Sequence, residues 1–117
     1  MTVYVDDLGM PATVGGLSAR WSHLIADDRE ELHMFAARLG LRRTWFQDPT
    51  VTGKPLATPG TRAAETWHYD VTASKRTQAI RLGAVPVPYR DLPAIIDARW
   101  TTNRKREADL MNGHSAT

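Results

Sequence analysis

Apolar and polar positions fall along this chain in short blocks, and the blocks read as three strands and three helices. Thr2-Val3-Tyr4-Val5 is β-branched, aromatic and nearly all apolar, which predicts a strand buried on both faces. Leu32, Phe35, Ala36 and Leu39 recur at helical spacing. Asp27 stands ahead of them as a cap with Glu30 three residues on, and Gly40 fits the left-handed position that ends a helix. Leu41 to Phe46 reads as a second strand. Gln47 to Thr66, rich in Pro, Gly and Thr, reads as an exposed loop. A second helix, capped by Thr72, runs to Leu82 and stops at Gly83. Ala84-Val85-Pro86-Val87 reads as a third strand, with Pro86 pointing to a sheet edge. Asp91 caps a third helix with Leu92, Ile95, Ile96 and Trp100 on its buried face. The stretch from Leu8 to Ala26 contains Gly9, Pro11, Gly15 and Gly16 and begins as a long loop, of the kind that carries function in small domains.

This order, β-α-β-α-β-α, predicts a small two-layer or three-layer α/β domain on a short, mainly parallel three-stranded sheet. The domain takes residues 1–100, and residues 101–117 form a polar, flexible tail. Phe35 to Leu41 echoes Gln78 to Ala84, each a helix end, a Leu-Gly turn and a strand start, which we read as two similar αβ units.

Composition narrows the class. The chain has 117 residues, 42% apolar and 24% charged, as in a soluble globular domain with a single core. No apolar run is long enough to cross a bilayer, and Met1 leads straight into a strand-like segment, so neither a membrane partner nor a signal peptide is expected. Cysteine is absent, which excludes disulfides, thiolate metal sites and a Cys nucleophile and agrees with a cytoplasmic setting. Net charge is only +2, and the dense basic run Arg104-Lys105-Arg106 lies in the tail, so a nucleic-acid partner is not favoured.

The reactive residues form three blocks, each placed next to a strand end or a helix start. In a parallel sheet those positions share the carboxyl edge, where ligands bind. Asp6 and Asp7 follow the first strand and can hold a hard cation such as Mg or Mn, together with Asp27; a solvated turn and a helix cap explain the same residues without a metal. His23 and His68 each stand beside an aromatic residue upstream of a helix. His68 with Asp70 two residues later can be a general acid–base pair or two metal ligands. Lys75 and Arg76 lie in the first turn of the second helix, where the helix dipole disfavours cations. With Thr72, Ser74 and the free backbone N–H groups they form a cradle for a phosphate or carboxylate, or else they pair with carboxylates such as Asp70. Trp21 and Tyr69 flank these blocks and can stack on a base or pack in the core.

The blocks Val3-Tyr4-Val5-Asp6-Asp7, Trp21-Ser22-His23-Leu24 with Ala26-Asp27-Asp28, Glu31-Leu32-His33 with Phe35-Ala36, and His68-Tyr69-Asp70 with Lys75-Arg76 resemble the DUF4031 family of bacteria and actinobacteriophages, over about residues 2–92. The resemblance implies a protein of a bacterial host cell or its phage and adds no catalytic assignment. Three readings follow. The first is a domain that binds a nucleotide or small anionic ligand at the sheet's carboxyl edge. The second is a metal-dependent phosphoester hydrolase or nuclease using Asp6 or Asp7 with His23 and His68. The third is a phage protein that engages a host protein. An exposed sheet edge makes a homodimer a further expectation.

Overall fold

The computed structural model describes residues 2–112. Its strands are β1 (Val3–Val5), β2 (Met10–Val14), β3 (Leu17–Ala26), β4 (Tyr69–Thr72) and β5 (Val85–Pro86). Its helices are α1 (Arg29–Arg38), α2 (Pro49–Thr52), α3 (Ala73–Arg81) and α4 (Leu92–Asn112), with 3-10 turns at Arg43–Trp45, Arg62–Glu65 and Tyr89–Asp91.

The sheet is mixed and mostly antiparallel, which corrects the parallel three-stranded expectation. β3 runs antiparallel to β1, β2 and β4, and only β5 is parallel to its neighbour, β1. Trp21 pairs with both Met10 and Thr72, and Leu24 pairs with both Val5 and Tyr69. β1 and β2 therefore follow one another along one edge of β3, and β4 takes the other edge. β5 lies at the outer edge beside β1, as Pro86 suggests.

Two segments account for the difference. Leu8 to Ala26 is not a loop: Met10 to Ala26 forms a hairpin. Gly15 and Gly16 sit at φ +58° and +81° between the closing pair Val14 and Leu17. A two-residue turn with both central φ angles positive matches the twist of antiparallel strands, and glycine adopts it without a Cβ clash. Conversely, Leu41 to Phe46 is not a strand. Leu41 and the partly buried Phe46 both pack on the core. They are five residues apart, so a strand would turn one of them to solvent. The turn at Arg43–Trp45 lets both pack inward, and the chain touches β4 only through the bridge Gln47 to His68.

Side-chain alternation gives the sheet two faces. Val3, Val5, Leu24, Ala26, Tyr69 and Val71 point to one face and form the core with Leu32, Phe35 and Ala36 of α1 and Ala79 of α3. Leu24 and Leu32 are fully buried, so truncation of either to alanine costs about 2–5 kcal/mol. The opposite face carries His23 and Ile25 of β3 and Asp70 of β4. His23 and Ile25 share a cavity with Leu92 and Ile96 from the start of α4.

Helix ends follow the local chemistry. α1 is capped by Asp28, not Asp27: the Asp28 carboxylate accepts the Glu31 amide at 3.1 Å. Thr72 caps α3 as expected, accepting the Lys75 amide at 3.3 Å. Gly40 and Gly83, at φ +84° and +109°, follow α1 and α3. α4 does not stop near Trp100. It continues through Asn112 into the polar stretch, held by the Trp100 indole on the Gly60 carbonyl and the Asn103 amide on Glu65. The remaining tail residues, 113–117, lie outside the described residues.

Candidate metal centre

The site begins where β1 leaves β3. The Asp6 amide makes a last ladder bond to the His23 carbonyl at 3.0 Å, and the chain then departs before rejoining β3 as β2. Asp6 is fully buried there. One carboxylate oxygen accepts the His23 amide at 2.8 Å and the Leu8 amide at 3.3 Å, in place of the missing strand neighbour. The other oxygen meets His23 Nδ1 at 2.7 Å. Burial alone would raise the Asp6 pKa, but the hydrogen bonds from the His23 ring and amide and the charge of His23 outweigh it and hold the carboxyl below its ordinary value. The same hydrogen bond raises the His23 pKa, against a smaller opposing effect of burial, and the charges of Asp6 and Asp70 add to the rise.

With Nδ1 donating to Asp6, His23 has Nε2 left over. His68 is built the same way from a different partner. Its Nδ1 lies 2.8 Å from the Thr66 carbonyl, which only accepts, so Nδ1 carries the proton and Nε2 is left. That Nε2 is 3.2 Å from an Asp70 carboxylate oxygen. The imidazole rings of His23 and His68 meet edge to face, 4.9 Å between centroids. One ligand atom from each of His23, His68 and Asp70 lies within 4.8 Å of the other two. Asp70 has its pKa lowered: burial would raise it, but the hydrogen bond and charge of His68 and the charge of His23 prevail.

This arrangement suits a divalent cation. Bonds of about 2.0–2.2 Å to N and O ligands put neighbouring donors roughly 3.0–3.4 Å apart, and the His68 to Asp70 separation of 3.2 Å falls in that span. A carboxylate or carbonyl on the far nitrogen of each imidazole fixes its tautomer and ring plane, as at bound metals. Two His with one carboxylate leave coordination positions open for water or substrate.

The remaining predicted residues are elsewhere. Asp7 does not join Asp6: its carboxylate accepts the Tyr89 amide at 2.7 Å and so caps the 3-10 turn before α4. Asp27 is at the opposite end of β1 from Asp6, its amide on the Thr2 carbonyl and its carboxylate next to the Tyr4 hydroxyl. The set Asp6, Asp7 and Asp27 is therefore not brought together, and Asp6 acts on the centre through His23. Tyr69 points to the core face, 1% exposed, with its hydroxyl 2.8 Å from His33 Nδ1. The Trp21 indole donates to the Ala12 carbonyl of the hairpin. Ser74 is exposed on the first turn of α3. Lys75 Nζ donates to the Leu39 carbonyl at the end of α1, 2.8 Å, and Arg76 Nε donates to the Asp6 carbonyl, 2.7 Å. Thr72, Ser74, Lys75 and Arg76 thus share a turn as expected, while both cations reach main-chain carbonyls.

A cavity of about 300 Å³ adjoins the two histidines. It is lined by Tyr89, Arg90, Leu92, Ile96 and Arg99, none of which the sequence analysis had placed at a site. Tyr89 lies over the His23 ring at 5.9 Å with an interplanar angle of 24°. One signal for Arg99 was legible: it falls three residues after Ile96 and seven after Leu92, on the apolar stripe of α4.

The chain is a small mixed α/β domain in which two histidines and one carboxylate cluster on one face of the sheet. A family model described as "Protein of unknown function (DUF4031)" matches residues 3–99, and the chain belongs to that family. Searches of curated proteins and of solved structures find no match. No helix among the described residues is long and apolar enough to cross a membrane.

Proposed function

We propose that the protein is a metal-dependent hydrolase of phosphoesters, with His23, His68 and Asp70 as the ligands of one divalent cation. The observation that carries this reading is the shared design of the two imidazoles. Each has Nδ1 committed to a fixed acceptor, and a carboxylate stands beside them. A bound cation supplies Lewis acidity and an acidified water. The chain supplies the rest. Asp6 and the Thr66 carbonyl hold the two rings in place. Tyr89 covers His23, and the guanidinium-lined cavity attracts the anionic ester. In the reaction, water oxygen bonds to phosphorus, the P–O ester bond breaks and the departing oxygen takes up a proton.

Binding of a nucleotide or small anion without turnover is the second reading. The same cavity favours it, since Arg62, Arg90 and Arg99 line it and no carboxylate does among the described residues. The turn at Thr72 to Arg76 supports it less, because Lys75 and Arg76 already hold main-chain carbonyls.

Metal titration separates these. Zn²⁺ or Mn²⁺ should bind at one equivalent and raise the melting temperature; at one hundred times the dissociation constant the stabilisation is about 2.7 kcal/mol. His68→Ala and Asp70→Asn should each weaken binding at least tenfold, and hydrolysis of p-nitrophenyl phosphate or its diester should vanish with EDTA. Absence of any metal-induced shift in the wild-type protein would exclude the hydrolase reading.

A further inference from the structure

We propose that the substrate carries a second oxyanion, set apart from the ester that is cleaved, and that the Arg99 guanidinium receives it at the far end of the cavity. The inference rests on the metal-centre reading for the reacting end and on Arg99 for the remote one.

Arg99 is 3% exposed, a charge placed where the apolar stripe of α4 would otherwise take a Leu. Its Nε donates to the Ala26 carbonyl at 2.8 Å, and its Nη1 donates to the Glu65 and Trp67 carbonyls at 2.6 and 3.0 Å. The guanidinium also lies 3.5 Å from the centre of the Trp67 ring. These bonds tie α4 to β3 and to the segment before β4, and they use only Nε and Nη1. Nη2 is buried and has no hydrogen-bond partner.

Among the described residues no carboxylate forms an ion pair with this charge. Glu65 and Asp27 favour the charged form only through space, and the Glu65 Oε1 takes the Trp67 indole and the Asn103 amide. Burial pushes the Arg99 pKa down to about 10, against the opposing charges of Glu65 and Asp27. A buried charge with an unmet donor is costly unless an anion completes it, and a planar guanidinium suits a carboxylate or phosphate.

The cavity joins this group to the metal centre. His23 and Ala26 are three residues apart on β3, so the two ends are separated by roughly 10 Å. Ile25, Leu92 and Ile96 line the apolar stretch between them. Arg62 is neutralised by Asp97, whereas Arg90 is exposed and adds positive charge. A volume of about 300 Å³ is at the small end for ligand pockets. The substrate it fits is a small phosphoester with a short apolar spacer and a second anionic end, not a polynucleotide.

The experiment compares butylphosphonate with 4-phosphonobutyrate, similar in length but differing in the terminal carboxylate. Affinities are measured by calorimetry on the full chain, with Zn²⁺ and with EDTA. The proposal expects 4-phosphonobutyrate to bind at least tenfold more tightly in both conditions, and to move the Arg99 Nε–H resonance where butylphosphonate does not. Butane-1,4-bisphosphonate then tells whether carboxylate or phosphate is preferred. Arg99→Met should bring the ratio close to one. Should that variant not fold, the Nε–H resonance and Arg90→Gln, which should lower the ratio at least twofold, carry the test. Equal affinities in the wild-type protein with an unmoved Arg99 resonance would overturn the second-anion site, even if the metal is bound. A preserved ratio with no effect of Zn²⁺ on either ligand would instead overturn the metal reading alone.

Discussion

His23 and Asp70 face each other directly across the antiparallel pair β3 and β4. Directly opposed residues project to the same face with Cβ atoms about 4.5–5.5 Å apart. His68, two residues before Asp70, projects to that face too. Strand register thus holds His23 and Asp70, while the bridge to Gln47 and the Thr66 carbonyl hold His68 just ahead of β4.

Asp6 acts on this centre through His23. Asp6→Asn keeps an acceptor for the His23 amide but removes the charge that orients and polarises the ring. Metal affinity should fall about 10–100-fold, the usual effect of losing such a partner. Calorimetric titration with Zn²⁺ checks this. An unchanged affinity would mean that Asp6 serves only the departure of β1 from β3.

Tyr69 belongs to the core and to His33, not to a ligand. Tyr69→Phe should destabilise the protein by about 1 kcal/mol, the net worth of one buried hydrogen bond, and leave metal and phosphonate binding unchanged. Urea unfolding with parallel titrations tests it. A tenfold loss of ligand affinity would restore Tyr69 to the site.

The Asp6–His23 pair sets a pH window in metal-free protein. The Asp6 pKa is lowered on folding, so its contribution is present above the ordinary carboxyl value and lost as pH falls through the depressed one. The His23 pKa is raised, so its contribution is complete below its unfolded value and lost as pH rises through the elevated one. The pair should therefore stabilise the fold most between about pH 4 and 6.5. Unfolding free energies in EDTA should show the wild-type advantage over Asp6→Asn shrinking from pH 6 to pH 8. Parallel profiles would contradict the coupling.

The hairpin depends on its glycine pair. Gly15→Ala or Gly16→Ala should cost about 1–2 kcal/mol locally, because each residue adopts a positive φ. Faster amide exchange across Met10 to Ala19, with β4 unaffected, is the expected readout.

The helices were legible in the sequence because their signals are local. Leu32, Phe35 and Ala36 repeat at helical spacing, and Thr72, Gly40 and Gly83 mark helix ends within one turn. β3 reads as a loop in the sequence although Val14-Gly15-Gly16-Leu17 carries its turn, because its polar face, with His23, hides the alternation. Leu41 to Phe46 reads as a strand in the sequence, but its apolar residues pack on the core from a turn. His68 and Asp70 were singled out by chemistry and spacing, and His23 was placed near them for a topological reason that did not hold. The expected three-stranded parallel edge does not form, since only β5 is parallel to its neighbour, and the antiparallel register of β3 and β4 brings His23 opposite Asp70 instead.

The sequence by itself determined the α3 boundaries, the end of α1 at Gly40, the apolar core face of α1 and the residue types able to bind a cation. Their side chains and backbone interact with neighbours within a few positions, so spacing encodes them. Only the tertiary structure decided which carboxylate serves which histidine, that Tyr69 turns inward, and that Arg99 stands beside the cavity. Those facts depend on strand register and on contacts between residues such as Arg99 and Ala26, 73 positions apart. No local periodicity can specify such a pairing, because long-range packing selects it from many that the same sequence pattern allows.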